Sequence, residues 1–199
     1  MITLHEVFDM VVMTAFLGYL FMDFVQTRNT NIVDMIDKGT DIGSIQDKVW
    51  WNDFLYACAV LGPAIILHEM AHKFVAIYFG YEATFMAFYA SEFTLMLAIV
   101  AVLMKVFNTG FFLLVPGFVS ISGATPPFET LLIALAGPLV HGLFWLASTY
   151  ALNNMTLTRE QAKFLFYIKK INGLLFIFNL LPIPGFDGAT ALNAGMELL

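Results

Sequence analysis

Residues 64–78 read AIILHEMAHKFVAIY, and the rest of the chain is best read outward from them. The run would pass for an uninterrupted apolar helix but for His68, Glu69, His72 and Lys73 at its centre. On a helix, residues four apart lie on one face, so both imidazoles can meet a single metal from adjacent turns. Glu69 sits one residue from the first imidazole, where its carboxylate can take a proton from metal-bound water. On a soluble surface helix such a pattern arises by coincidence. In a helix this apolar, ionisable groups cost several kcal/mol unless something compensates them, which makes a functional metal site the stronger reading.

The composition agrees with that setting. Of 199 residues 60% are hydrophobic and 12% charged, against roughly 45–50% and 25% for a soluble domain. So few charges cannot coat a water-facing surface, and an integral, multi-pass membrane protein is predicted, with the cell membrane as its location. The net charge of −6 and the scattered lysines and arginines give no basic stripe to meet phosphates, which excludes nucleic acid as a partner. The single cysteine, Cys58, cannot close an internal disulfide and reads as a small packed side chain. The opening MITLHEVFDM has no lysine or arginine, so the first apolar segment is predicted to be a retained helix rather than a leader.

The first span is predicted at 8–25, bounded by Asp9 and Asp23, followed by a polar connection at 26–50 with a short amphipathic element. A second helix covers 54–78 and is expected to bend at Pro63, which lacks an N–H and clashes with the preceding turn. A third apolar helix is predicted at 89–106. Residues 111–123, FFLLVPGFVSISG, break at Pro116-Gly117 and then alternate, which favours a short strand. An open strand edge in lipid is untenable, and the best partner is 81–88, YEATFMAF, with Glu82 turned to water or a partner. Pro126-Pro127 precedes a helix at 131–152, Thr158 is placed to cap the next, and an apolar run at 164–181 ends in Pro182, Pro184 and Gly185. A short helix is predicted after Asp187. Arg28, Lys38 and Lys48 favour one side as cytosolic, and the lysines at 163–170 favour the other if all five apolar helices cross. The fold class is therefore an all-α polytopic membrane protein with a small β hairpin or sheet.

A zinc site usually takes three protein ligands and leaves one position for water. Asp187, in NLLPIPGFDG at 179–188, is the strongest candidate for the third, with Glu92 and Glu129 as alternatives. Asp-Gly also marks ordinary turns. Non-helical backbone at membrane depth, however, persists only where protein or a water-lined cavity satisfies it, which gives this break a purpose.

Three ordered motifs, HEMAH followed by KFVA, AGP at 136–138 and NLLPIPGFDG at 179–188, together resemble the site-2 protease family of intramembrane metalloproteases, from about Gly62 to Gly188. The PGFVSISG stretch resembles the short β segment of that family. The resemblance implies a single membrane-embedded domain over 1–199, with a family-like core at 62–188 of about four to five transmembrane or re-entrant helices. It further implies one catalytic Zn2+ per chain held by His68, His72 and Asp187, Glu69 as general base for the zinc-bound water, and Asn179 near the substrate carbonyl. The implied activity is hydrolysis of peptide bonds in or near transmembrane segments, with a transmembrane protein or peptide as substrate and membrane lipid as surroundings. Two departures stand out. His141 occupies a position where the family commonly has asparagine, and a local hydrogen bond is the preferred reading over a metal role. Phe186 replaces the usual leucine before the aspartate-glycine pair, a packing change.

Overall fold

Thr3 begins the structure with a capping box: its hydroxyl accepts from the Glu6 backbone N–H at 3.3 Å, and the Glu6 carboxylate accepts from the Thr3 N–H at 2.8 Å. Helix α1 therefore spans Leu4–Phe21 and starts ahead of the apolar run predicted at 8–25, because T-x-x-E was a stronger signal than hydropathy. The computed structural model describes residues 2–25, 42–109 and 117–199, and for 42–46 the backbone alone. The predicted connection at 26–50 thus lies largely outside the described residues, but from Ile42 the chain is already helical.

Helix α2 runs unbroken over Ile42–Tyr78, 37 residues, with Pro63 inside it. Strand β1, Ala83–Met86, follows, then a 3-10 turn at Phe88–Ala90 and helix α3, Glu92–Val106. Strand β2, Phe118–Ile121, pairs antiparallel with β1, Ala83 opposite Ile121 and Met86 opposite Phe118. The alternation after Pro116-Gly117 and the choice of 81–88 as partner thus correctly indicated this pairing, and Glu82 is solvent-exposed beside it. Helix α4 covers Pro127–Asn154, α5 covers Arg159–Asn179 under a Thr158–Gln161 capping box, and α6 covers Asp187–Met196.

Among the described residues, three helices are long and apolar enough to cross a membrane: α1, α2 from Asp47, and α4. The resemblance implies about four to five helices, transmembrane or re-entrant. Helix α3 has 15 residues, a rise of about 22 Å against roughly 30 Å of hydrocarbon. Helix α5 has the length, but Lys169 and Lys170 sit in its middle. On α4, Ala134, Gly137, His141 and Ser148 are buried, whereas Leu139, Leu143, Leu146 and Tyr150 form an exposed apolar stripe on the opposite side. Such a stripe suits lipid better than water.

Helix α1 is fastened to α2 and to the sheet by buried polar groups. Glu6 is fully buried, its Oε1 bonded to the Lys73 ammonium and accepting the Phe85 N–H at 2.8 Å. Lys73 is 1% exposed and directly follows His72. Asp9, expected near a span boundary, is instead buried and accepts from the Tyr89 hydroxyl, which pushes that phenol up to about 12. Removing one partner of a buried ion pair is far more damaging than replacing both, so Glu6→Ala is expected to destabilise the fold by about 3–5 kcal/mol, read as a lowered Tm in detergent. A Tm equal to the parent's would contradict this role for Glu6.

Candidate metal centre

His68 and His72 lie in the carboxyl-terminal half of α2, where α4 crosses it. His72 Nδ1 donates to the Ile133 carbonyl of α4 at 2.6 Å. A carbonyl can only accept, so the proton of the neutral ring resides on Nδ1 and His72 Nε2 carries a bare lone pair. That nitrogen lies 3.0 Å from His68 Nε2. Gly137 explains how α4 comes so close: a Cβ there would overlap His72 Nε2 and stand 2.7 Å from His68 Nε2. The AGP motif therefore brings a bare helix backbone against the two imidazoles.

Asp187 reaches the same point from the break between α5 and α6. Helix α5 ends at Asn179, and tight turns follow, with Ile183 N–H to Leu181 O at 2.8 Å and Phe186 N–H to Ile183 O at 3.0 Å. Gly185 has φ +95°, a backbone conformation that favours glycine. Helix α6 then begins at Asp187 itself. Gly188 rests directly on the Leu180 carbonyl, where any Cβ would collide, so the glycine of the Asp-Gly pair lets the first turn of α6 fold back. Asp187 Oδ2 lies 3.2 Å from His68 Nε2 and 3.4 Å from His72 Nε2.

Two nitrogens and a carboxylate oxygen thus converge on one point, with His72 offering a lone pair and Asp187 its negative charge, an arrangement that a cation among them would satisfy. Their separations of 3.0, 3.2 and 3.4 Å match the roughly 3.3 Å between neighbouring ligands of a tetrahedral zinc with bonds near 2.0–2.1 Å. The donor set, two imidazoles and a carboxylate, is one that zinc takes in open catalytic sites. His68, His72 and Asp187 are the one such group among the described residues. The two alternatives considered for the third ligand are engaged or remote: Glu129 accepts from the Tyr81 hydroxyl at 2.5 Å, and Glu92 is exposed at the start of α3.

The three groups open on a cavity of about 360 Å³, which Glu69 and Asn179 also line, together with Phe118, Val119 and Ile121 of β2. Glu69 is 5% exposed and Asn179 half-buried. The structure therefore brings together all five residues singled out from the sequence, on α2, at the end of α5 and at the start of α6. Sequence reasoning gave no role to Gly137 or to the Ile133 carbonyl. The glycine in AGP was a signal, but its meaning depends on what faces it across the helix pair.

No family model matches the chain, and no solved structure matches it. A protein of Methanocaldococcus jannaschii described as "Putative zinc metalloprotease" is 33% identical over 145 residues, covering 70% of this chain and 70% of that protein. With that identity over more than two thirds of both proteins, the chain belongs to the zinc metalloprotease family that this archaeal protein represents.

Proposed function

We propose that the chain is an intramembrane zinc metalloprotease, an integral multi-pass protein of the cell membrane whose single domain hydrolyses peptide bonds in or near transmembrane segments of membrane proteins, as the site-2 proteases do. The observation that carries this reading is the convergence of His68, His72 and Asp187 at one cavity, with both histidines on a helix apolar enough to cross a bilayer. Exposed Trp50 and Trp51 near the start of the apolar part of α2 suit a membrane interface.

His68, His72 and Asp187 would hold one zinc ion per chain, which when bound supplies Lewis-acid activation of water and carbonyl. Glu69, beside the ligands and shielded from solvent, accepts the proton of the attacking water on its carboxylate and returns it to the leaving amine nitrogen. Asn179, on the same cavity wall, donates its amide N–H to the carbonyl oxygen as negative charge develops there. A helical substrate must unwind before its carbonyl is accessible. The edge of β2, whose Phe118, Val119 and Ile121 line the cavity, offers an extended segment main-chain hydrogen bonds by strand addition.

Glu69→Gln separates enzyme from scaffold. It is expected to keep zinc at the parent's stoichiometry while cleavage of a transmembrane peptide falls by at least about 10²–10⁴-fold, the range for losing general acid–base catalysis. Cleavage at the parent's rate would remove Glu69 from the mechanism.

A further inference from the structure

Phe166, Lys169, Lys170, Gly173, Leu174 and Ile177 are linked by steps of three or four residues along α5 and so share one face. That face and Trp145 of α4 line a groove of about 310 Å³, remote from the metal centre in its lining. Gly173 is its floor: a Cβ there would stand 3.3 Å from both Cδ1 and Nε1 of Trp145, so the indole lies directly over the glycine. Phe166, Leu174 and Ile177 are exposed. Among the described residues no acidic one lines the groove. Its charge is that of two ammonium groups: Lys170 Nζ rests 4.4 Å from the centre of the Phe24 ring, and half-buried Lys169 makes no ion pair among the described residues.

The depth of the two ends follows from α4. Helices α4 and α5 run antiparallel, since Gly142 abuts the Phe176 ring and Trp145 abuts Gly173. From Gly173 the lysines therefore lie toward the carboxyl end of α4. That helix has 28 residues, a rise of about 42 Å against roughly 30 Å of hydrocarbon, so it reaches into the headgroup region. Tyr150, Asn153 and Asn154 are exposed at the end beside the lysines, and such groups suit headgroup depth. Leu174 and Ile177 extend the groove the other way, toward hydrocarbon. Two lysines in the middle of α5 thus stand at the interface, with an apolar trough leading inward from them.

We infer that this groove binds one anionic phospholipid, its phosphate at Lys169 and Lys170 and an acyl chain laid over Gly173 along Trp145, Leu174 and Ile177. The inference rests on the membrane setting of the proposed function and not on its catalysis. Charge and shape select the occupant. A phosphate oxygen accepts from either ammonium, and basic residues at headgroup depth attract anionic lipid. A zwitterionic lipid would bring a second cation against the two lysines. A small anion would leave the trough uncovered, and a helix of another chain would need a carboxylate at the level of the lysines together with an apolar face.

Native mass spectrometry of the detergent-purified chain, titrated with phosphatidylglycerol and with phosphatidylcholine of the same acyl chains, tests the site. One phosphatidylglycerol per chain is expected to bind more tightly than phosphatidylcholine, and the double variant Lys169→Gln, Lys170→Gln to weaken it about 10–30-fold. Lys48→Gln, an equal loss of charge outside the groove, is expected to leave that affinity at the parent's value. Glycerophosphate, the headgroup without chains, is expected not to compete. Should the double variant fail to fold, because Lys170 also packs on Phe24, Lys169→Gln alone decides, with a loss supporting the site and parent affinity rejecting it. Equal binding of the two lipids, an equal loss in Lys48→Gln, competition by glycerophosphate, or a chain dimer in place of the lipid adduct would each overturn the inference. A chain recovered without detergent from the soluble fraction of lysed cells would reject the membrane setting, and the inference with it. A chain that needs detergent but shows no lipid preference rejects the inference alone.

Discussion

Gly137→Ala is expected to abolish zinc binding and cleavage together while leaving the helices in place. The added methyl would occupy the space of His72 Nε2 and press on His68 Nε2, so either both imidazoles rotate away or α4 withdraws from α2. Inserting one methyl into a packed helix pair costs about 1–3 kcal/mol of stability, which a chain of this size tolerates. Two ligands displaced at once leave the third with no partner set. Zinc per chain after gel filtration should drop to background, with the far-ultraviolet circular dichroism spectrum unchanged. Parent-like zinc content in Gly137→Ala would mean that the close approach of α4 does not shape the site.

Asp187→Ala is expected to reduce zinc affinity by more than the roughly 10–100-fold typical of outer partners, because it removes a ligand rather than its support. Neither carboxylate once considered for the third position can substitute, since Glu129 is bonded to Tyr81 and Glu92 is exposed on α3. Gly188→Ala reaches the same end by another route: a Cβ there collides with the Leu180 carbonyl and would push the first turn of α6, with Asp187, away from the histidines. Competition against a chelator of known affinity measures both, and undiminished affinity in Asp187→Ala would reassign the ligand.

The parts of this architecture that the sequence revealed are those governed by local periodicity. HEMAH places two imidazoles on one helix face wherever that helix goes, and FVSI alternates whatever it pairs with. Thr158 was recognisable as a cap for the same reason. The equivalent box at Thr3 and Glu6 was overlooked because apolar length was weighed more heavily than capping chemistry, and α1 was placed too late. What could not be read locally is long-range. Glu6 and Lys73 are separated by 67 positions and His141 and Asn172 by 31, and in each case either residue alone looks like an isolated polar intrusion. Gly137 shows the same limit: its lack of a side chain matters only because two rings lie opposite it. Apolar runs of similar hydropathy also differ as helices: α3 has 15 residues and α5 is interrupted by two lysines, whereas α4 is long and apolar enough to cross a membrane.

The most direct test of the central claim is the mass of the products formed when the purified, zinc-loaded chain is incubated with a panel of membrane-spanning peptides, Glu69→Gln serving as control. The account predicts paired fragments whose masses sum to substrate plus one water, cut in or near the spanning segment, formed by the parent and absent with Glu69→Gln and with Asp187→Ala. Equal product from Glu69→Gln, or no cleavage of any spanning peptide by parent protein that holds its zinc, would contradict it.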